Sequence, residues 1–374
     1  MNCDSVEWRY NWYEPMRSLT LALLGLLASI GAQADTADYY TLADFQRVQK
    51  IDAHVHVHGP AERFMAQAIK DDFYLLTINV DYPDFPPLAE QQRAAVSLVE
   101  RYPGRVAFAA TFSSEGFGTP GWVDGALQQL SSARDQHAVG VKIWKNFGMS
   151  VKDADGHYVM PDDPRLAPII SSVERAGMVL LGHQAEPLNC WLPLQRMTVR
   201  SDREYFSEHP QYYMYRQPQM PSHEQILEAR DRMLSAHASL KFDAVHLASL
   251  EWDVERIGAF LDRFPNANVD MAARTVHLEY QAVRHPDKVR RFLIRYQDRI
   301  LYGSDDSYGP GDEDAAALRE VHSGWMADWR FLTGSGKLHS SEFAGAYLGM
   351  HLPRKVVDKI YWSNAQTMFS GAWK

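Results

Sequence analysis

Two histidines that stand two positions apart, His54 and His56, end an apolar run over residues 51–56. Because alternate residues of a β-strand point to the same side, a strand here places both imidazoles and Asp52 on one face. Imidazole nitrogens are common ligands of Zn²⁺ and similar ions. The pair is therefore a candidate for half of a metal site, although a histidine pair also arises by chance, and the rest of the chain has to decide.

Other ionisable residues end or interrupt apolar runs further along the chain. They are Lys142, His183, His246 and Asp305. Burying such groups is costly unless they are paired or bind a metal. If the runs are parallel strands of a barrel, their ends meet at one mouth, where three histidines and one carboxylate suit Zn²⁺ or a similar divalent ion.

Apolar runs alternate with amphipathic helical patterns along most of the chain. The runs cover residues 51–56, 73–80, 105–111, 139–144, 178–183, 241–247, 268–272 and 299–305. The helical patterns cover residues 89–101, 121–134, 163–176, 223–238, 253–264, 276–297, 313–332 and 354–369. Such alternation predicts parallel strands joined by right-handed crossovers.

We therefore predict an α/β fold, a (β/α)8 TIM barrel that forms a single domain over residues 38–374 and ends in a C-terminal helix. An open doubly wound sheet is the alternative, but the Gly-rich phosphate turn that many such sheets carry is missing from the sequence. The connection after strand 5 is unusually long, and its residues 186–221 are rich in aromatic residues and proline. A lid or binding loop is expected there, with a self-packed surface excursion as the alternative.

The N-terminus has the order of a secretory signal. Arg17 precedes the apolar residues 19–30, and Ala32 and Ala34 supply a small-x-small cleavage site. We expect residues 1–34 to be a signal peptide whose true start is Met16, and the protein to be periplasmic or secreted. A membrane anchor or an uncleaved helix is the alternative, although the apolar stretch is short for a membrane span.

The composition limits the partners. With 46% hydrophobic and 23% charged residues, the chain can bury a large core. The formal net charge of −9 and the lack of a long basic run argue against nucleic acid and against stable membrane association after signal cleavage. A small-molecule substrate is the expected partner, and the sequence leaves open whether the chain forms a homo-oligomer.

The ordered set of strand-end residues resembles the amidohydrolase superfamily of metal-dependent hydrolases, in particular its amidohydrolase-related branch, which contains decarboxylases and lactonases. The matching motifs are Asp52-x-His54-x-His56, Gly-His-Gln-Ala-Glu-Pro at His183, His-Leu-Ala-Ser at His246 and Gly-Ser-Asp-Asp at Asp305. Residues 360–365 are similar to the closing helix of that branch, so the resemblance covers nearly the whole mature chain.

This resemblance implies roles for the matching residues. Four of them would bind the metal: His54, His56, His183 and Asp305. Asp305 would also take a proton from the water that the metal activates. His246 would polarise the substrate carbonyl or bind a second ion.

Lys142 leaves the number of ions open. In binuclear members of the superfamily a strand-4 lysine is carboxylated and bridges two ions, and Lys142 stands at the matching place. The alternative is an uncarboxylated lysine that binds a substrate anion or pairs with an acid. The expected cofactor is therefore Zn²⁺ or another divalent metal, as one or two ions.

Three further residues that follow strand ends are candidates for substrate binding: Lys145, Glu186 and Arg274. Arg274 could grip a substrate carboxylate or polyol, and a plain salt bridge is the alternative. The leading hypothesis is a metal-dependent hydrolase that cleaves an ester, lactone or amide bond of a small polar molecule. The alternatives are a metal-dependent non-oxidative decarboxylase or hydratase, and a catalytically idle metal- or ligand-binding barrel.

Overall fold

The computed structural model of the protein describes residues 38–59, 61–309, 312 and 315–373. The expected signal peptide, residues 1–34, and the proposed start Met16 lie outside the described residues. Within the described part of the chain, no helix is long and apolar enough to cross a membrane.

Nine of the described strands form one parallel sheet. They are β1 (Lys50–Val57), β2 (Phe73–Ile78), β3 (Val106–Ala110), β4 (Gly140–Ile143), β5 (Val179–Gly182), β6 (Lys241–Ala244), β7 (Ala267–Asp270), β8 (Ile300–Leu301) and β9 (Asp306–Tyr308). From β1 to β8 each strand pairs with the next along the chain, and β9 lies on the other side of β1. The sheet curls and is covered by helices, which gives a TIM-barrel-like α/β fold.

The helices lie between the strands and after them, as the alternation of patterns predicts. They are α1 (Glu62–Lys70), α2 (Leu88–Arg101), α3 (Trp122–Asp135), α4 (Ala167–Arg175), α5 (Arg200–Glu208), α6 (His223–Ala236), α7 (Val254–Arg263), α8 (Thr275–Arg284), α9 (Pro286–Arg295), α10 (Ala315–Thr333), α11 (Arg354–Asp358) and α12 (Asn364–Met368). A two-stranded antiparallel hairpin, β10 (Lys337–His339) with β11 (Ala346–Leu348), follows α10. The sequence patterns did not predict α1 or this hairpin.

Two predicted elements are interrupted in the structure. The helix expected over residues 276–297 is divided into α8 and α9 at Pro286, because proline lacks an N–H and disfavours helical backbone at the preceding residue. The strand expected over residues 299–305 is only Ile300–Leu301, and β9 begins after four intervening residues, at Asp306. The intervening segment still bonds to β1: Ala53 N–H donates to Tyr302 O at 3.0 Å.

The alternation expected for β1 also fails. The register of β1 against β2 shifts between Asp52 and Val55. As a result Ile51 and Ala53 join one buried cluster, which includes residues of α12, while Val55 joins the cluster under the outer helices. Asp52 does not share the face of His54, since its carboxylate accepts from the indole N–H of Trp325 on α10 at 2.9 Å.

The core contains a carboxyl group that makes stability depend on pH. Glu279 on α8 is buried and accepts a hydrogen bond from the hydroxyl of Tyr347 on β11 at 2.8 Å. Burial raises the pKa of Glu279 to about 7, the charge of Glu342 adds to the rise, and the bond from Tyr347 opposes it. Because the folded pKa exceeds the unfolded value, this group's contribution to stability is fully present below the unfolded pKa. It is lost as the pH rises through 7.

We expect Glu279→Gln to stabilise the protein at pH 8 and to change little at pH 4, because the amide carries no charge yet keeps an oxygen that accepts from Tyr347. The expected gain at pH 8 is on the order of 2 kcal/mol. Thermal or urea unfolding at both pH values measures it. Glu100→Gln is the matched control, since Glu100 is exposed on α2. An equal effect of Glu279→Gln at both pH values would contradict the assignment.

Candidate functional site

A cavity of about 410 Å³ lies where the carboxyl ends of the strands meet. Its walls include five residues that were singled out from the sequence as possible ligands or catalytic groups: His56, Lys142, His183, His246 and Asp305. His54 is fully buried directly behind them. The structure therefore brings together all six strand-end residues.

The densest part of the site is formed by the two histidines of β1 and Asp305. The Nε2 atoms of His54 and His56 each lie 3.2 Å from Asp305 Oδ1. One ligand atom from each of these three residues can be chosen so that all lie within 4.8 Å of one another, which is close enough for one ion. The compactness arises because Asp305 follows β8 with a positive φ of 73° and donates its N–H to His54 O at 2.8 Å.

The outer nitrogens of both histidines are held by acceptors. His54 Nδ1 lies 2.5 Å from Asp270 Oδ2, and His56 Nδ1 lies 2.8 Å from the carbonyl oxygen of Ile78. Each Nδ1 therefore carries the hydrogen, and each Nε2 presents a lone pair to the Asp305 carboxylate. Acceptors that face one another across 3.2 Å repel unless a cation lies between them. This donor set fits a divalent ion.

His246 and His183 lie beside that group. The Nδ1 of His246 lies 2.9 Å from the carbonyl oxygen of Ala272, so its Nε2 also presents a lone pair. The rings of His183 and His246 are 4.2 Å apart, and His183 Nε2 is buried with no hydrogen-bond partner in the described part of the structure. His183 is not a member of the compact group of His54, His56 and Asp305. An orphaned imidazole nitrogen at this place nevertheless fits a ligand.

Electrostatics keep Asp305 ionised. Burial alone raises the pKa of Asp305, but the neighbouring His246, His54 and His56 outweigh it and hold this pKa well below its usual range. Burial lowers the pKa values of His54, His183 and His246. The site thus combines a carboxyl group that favours ionisation with three imidazoles whose protonation burial disfavours, and both tendencies favour metal binding.

Lys142 lies at the centre of the same group. Its Nζ is 3.1 Å from His54 Nε2, and the side chain is buried. Burial lowers the pKa of Lys142 to about 8, while Asp305 and Asp270 oppose the change. Lys142 faces His54 on one side and lines the cavity on the other. Its position therefore suits both a carboxylated lysine that bridges two ions and an amine that binds a substrate anion.

The three predicted substrate-binding residues also line the cavity. The Lys145 ammonium is paired with Glu186, and Arg274 Nη2 lies 3.9 Å from Glu186 Oε2. Arg274 Nη1 donates to the carbonyl oxygen of Ala273 at 3.1 Å, whereas its buried Nε has no hydrogen-bond partner among the described residues. Arg274 is therefore partly engaged and keeps one donor free.

The long connection after β5 covers the cavity. Helix α5 lies within it, and Ser201, Asp202, Tyr205 and Phe206 of this helix reach the cavity. The lid expected from the aromatic composition is thus in place over the site. Three aromatic residues from other loops complete the wall, and the sequence reading did not single them out: Tyr82, Phe85 and Trp144.

Asp270 is the site residue that the sequence reading missed. It ends β7 and is fully buried, with one carboxylate oxygen on His54. A signal for it exists, because Asp270 ends an apolar run in the same way as His183 ends its run.

Comparisons with known proteins agree with this geometry. A family model described as "Amidohydrolase" matches residues 51–370. No curated protein matches the sequence. Among solved structures, an uncharacterized TIM-barrel protein, Bb4693, from Bordetella bronchiseptica is similar with a TM-score of 0.54 and 13% identity, covering 87% of this chain and 99% of that one.

A 2,6-dihydroxybenzoate decarboxylase from Rhizobium is similar with a TM-score of 0.50 and 14% identity, covering 86% of this chain and 98% of that one. Identities this low show a shared fold and carry no reaction to this chain. The family model, by contrast, spans every strand of the sheet and all the residues of the site described above. The chain belongs to the amidohydrolase family.

Proposed function

We propose that this protein is a metal-dependent hydrolase that cleaves an ester, lactone or amide bond of a small polar molecule. One observation carries the proposal. The imidazoles of His54 and His56 direct their lone pairs at the ionised carboxylate of Asp305, with both outer nitrogens fixed by acceptors. A cavity of small-molecule size opens directly above this group.

In this proposal His54, His56, His183 and Asp305 hold the ion. Zn²⁺ or another divalent metal bound there would lower the pKa of a water molecule and polarise a carbonyl group. Asp305 is the proton carrier, because it is ionised, lines the cavity and has its second oxygen, Oδ2, free of the two contacts made by Oδ1. It can accept a proton from the attacking water and pass it to the leaving group.

The Nε2 atom of His246 is better suited to accept a hydrogen bond or bind a metal than to donate a hydrogen bond. Since its Nδ1 hydrogen is engaged by Ala272 O, the neutral ring has no hydrogen at Nε2 to offer to a substrate carbonyl. A ligand of a second ion, or a base, is therefore favoured over a polarising donor. With Lys142 carboxylated, the site would hold two ions. With Lys142 as an amine, it would hold one, and the lysine would bind a substrate anion.

The number of ions is measurable. If His246 and Lys142 complete a second site, the ratio of metal to protein is near two in the wild type and falls towards one in His246→Asn. A ratio near one in both proteins assigns His246 to the substrate.

We also propose that the sheet is a closed (β/α)8 barrel in which β8 and β9 are two parts of one eighth strand, since the segment between them bonds to β1.

A second candidate, a metal-dependent decarboxylase, is favoured by the cavity wall. Arg274 offers a buried, unpartnered Nε, which suits a carboxylate, and Tyr82, Phe85 and Tyr205 suit a planar ring. The Rhizobium relative named above is a decarboxylase of such an acid. Hydrolysis is preferred because the cavity wall balances Lys142, Lys145 and Arg274 with Glu186, Asp202 and Asp305. The wall is therefore close to neutral and suits a polar, weakly charged substrate.

Removal and return of metal tests the proposal. The metal-stripped protein is assayed on lactone, ester, amide and carboxylated aromatic compounds, before and after addition of Zn²⁺ or Mn²⁺. We expect hydrolysis of at least one lactone, ester or amide to return with the metal. Release of CO₂ from aromatic acids without hydrolysis would establish the second candidate. A metal that raises the melting temperature but supports no turnover would establish a binding protein.

We further propose that the chain is exported and cleaved after Ala34. Export agrees with hydrolysis, because water is the only co-substrate that hydrolysis requires. Sequencing of the N-terminus of protein recovered from the periplasm should then begin at Asp35. Retention of residues 19–30 in the membrane fraction would exclude cleavage.

A further inference from the structure

His246 is carried by a left-handed turn that directly follows β6. Residues 246–249 have φ values of 58°, 55°, 61° and 51°, and none of them is glycine. The left-handed conformation is unfavourable for L-residues other than glycine, so a run of four such residues is strained. Strain of this kind persists only where the surroundings hold the backbone in place.

Three buried side chains hold the turn. Asp270 Oδ1 accepts from the N–H of His246 at 2.6 Å, at the beginning of the turn. Arg230 Nη1 donates to the carbonyl oxygen of Ala248 at 2.5 Å, and the hydroxyl of Ser249 donates to Ala185 O at 2.8 Å. Of these three, only Asp270 also contacts another residue of the candidate metal site.

The other oxygen of Asp270 holds His54. Oδ2 lies 2.5 Å from His54 Nδ1, and both side chains are fully buried. One carboxylate therefore fixes the ring of His54, on β1, and the backbone of His246, after β6. In both hydrogen bonds the histidine donates, so each oxygen of Asp270 must be an acceptor.

We propose that Asp270 is the positioning residue that links the two halves of the site: it sets the tautomer of His54 and anchors the strained turn that aims His246 into the cavity. Asp270 does not line the cavity, so it acts through these two histidines and does not touch the substrate. The proposal rests on the proposed function only where it concerns metal affinity, because the tautomer of His54 is a property of the metal-free protein.

The chemistry of asparagine gives a sharp test. A carboxylate accepts on both oxygens, whereas an amide accepts on one side and donates on the other. In Asp270→Asn the NH2 of the amide must therefore face one of the two groups that donate to the wild-type carboxylate, either His54 Nδ1 or His246 N. If it faces His54, the hydrogen of that ring moves to Nε2 and blocks the lone pair. If it faces His246, the turn loses its anchor. Either orientation disturbs one histidine.

The experiment combines ¹⁵N NMR of histidine-labelled, metal-free protein with titration of Zn²⁺ against a chelator. In the wild type we expect His54 to carry its hydrogen on Nδ1. In Asp270→Asn we expect the resonances of His54 or His246 to change and the affinity for Zn²⁺ to fall ~10–100-fold, as for other residues that orient metal ligands.

Asp243→Asn is the matched control. Asp243 is also a fully buried acid, on the adjacent strand β6, and neither of its carboxylate oxygens has a hydrogen-bond partner among the described residues. We expect this control to keep the wild-type affinity and histidine spectrum. Equal losses in both variants would show a general effect of replacing a buried acid and would overturn the proposal.

Two further outcomes decide the case. Wild-type affinity and an unchanged histidine spectrum in Asp270→Asn would overturn the proposal. If that variant does not fold, the wild-type spectrum alone is decisive, since hydrogen on His54 Nε2 contradicts the role given to Asp270. Failure of the wild type to bind Zn²⁺ would instead refute the proposed function and leave the tautomer result standing.

Discussion

Replacing Asp305 by asparagine should lower the turnover number ~10²–10⁴-fold while the protein keeps its metal. The amide has nearly the shape of the carboxylate and retains one oxygen ligand, but it cannot accept a proton at neutral pH. His54 and His56 remain in place because Asp270 and Ile78 hold their outer nitrogens. Steady-state kinetics of the metal-loaded variant, together with elemental analysis, measures both quantities.

The matched control for this prediction is Asp306→Asn. Asp306 is the next residue in the chain, but it does not line the cavity. We expect this control to retain a turnover number within a few-fold of the wild type. Near-normal turnover of Asp305→Asn with metal bound would show that another group moves the proton.

The double change His54→Ala with His56→Ala should abolish both metal binding and activity. It removes two of the three residues of the compact donor group and leaves Asp305 without its histidine partners. A ratio of metal to protein that falls from one or two to near zero by elemental analysis is the expected result. An unchanged ratio would place the metal elsewhere in the molecule.

We expect the two histidines to differ in their cost to stability. Removal of His54 takes a hydrogen-bond donor from the fully buried carboxylate of Asp270, and leaving a buried charged acceptor short of a donor costs about 3 kcal/mol. Removal of His56 ends only a bond to the Ile78 carbonyl, a loss of about 1 kcal/mol. His56→Ala alone is therefore the variant in which loss of metal and loss of fold are most easily separated.

The sequence predicted much of the site because each of its polar residues interrupts an otherwise apolar strand. Parallel strands then bring these residues to one end of the sheet, as the positions of His183 after β5 and His246 after β6 show. The family resemblance agrees with the family model that matches residues 51–370. Position at a strand end was thus enough to predict that His54, His56, Lys142, His183, His246 and Asp305 meet, but not that Asp270 joins them.

The finer geometry was beyond simple strand patterns. The shift in register between Asp52 and Val55 places Asp52 against Trp325, although alternation predicts that it shares a face with His54. Asp305 leaves β8 with a positive φ, which no propensity of Asp or its neighbours required. Both features depend on hydrogen bonds to residues that are distant in the sequence, and local sequence patterns do not predict those bonds.

The role of Asp270 illustrates the same limit. The residue type and its position at a strand end are visible in the sequence, but its two partners come from β1 and from the turn after β6. A pattern that considers one strand at a time cannot show that a single carboxylate accepts from both. The packing of adjacent strands had to be known first.

Anomalous diffraction tests most directly whether His54, His56, His183 and Asp305 surround one divalent ion. Crystals of the protein loaded with Zn²⁺ are measured above and below the zinc absorption edge. We predict an anomalous peak about 2.0–2.2 Å from the Nε2 atoms of His54 and His56 and from a carboxylate oxygen of Asp305. A second peak beside Lys142 would show two ions. No peak at this place with saturating zinc, or a peak elsewhere in the molecule, would contradict the account.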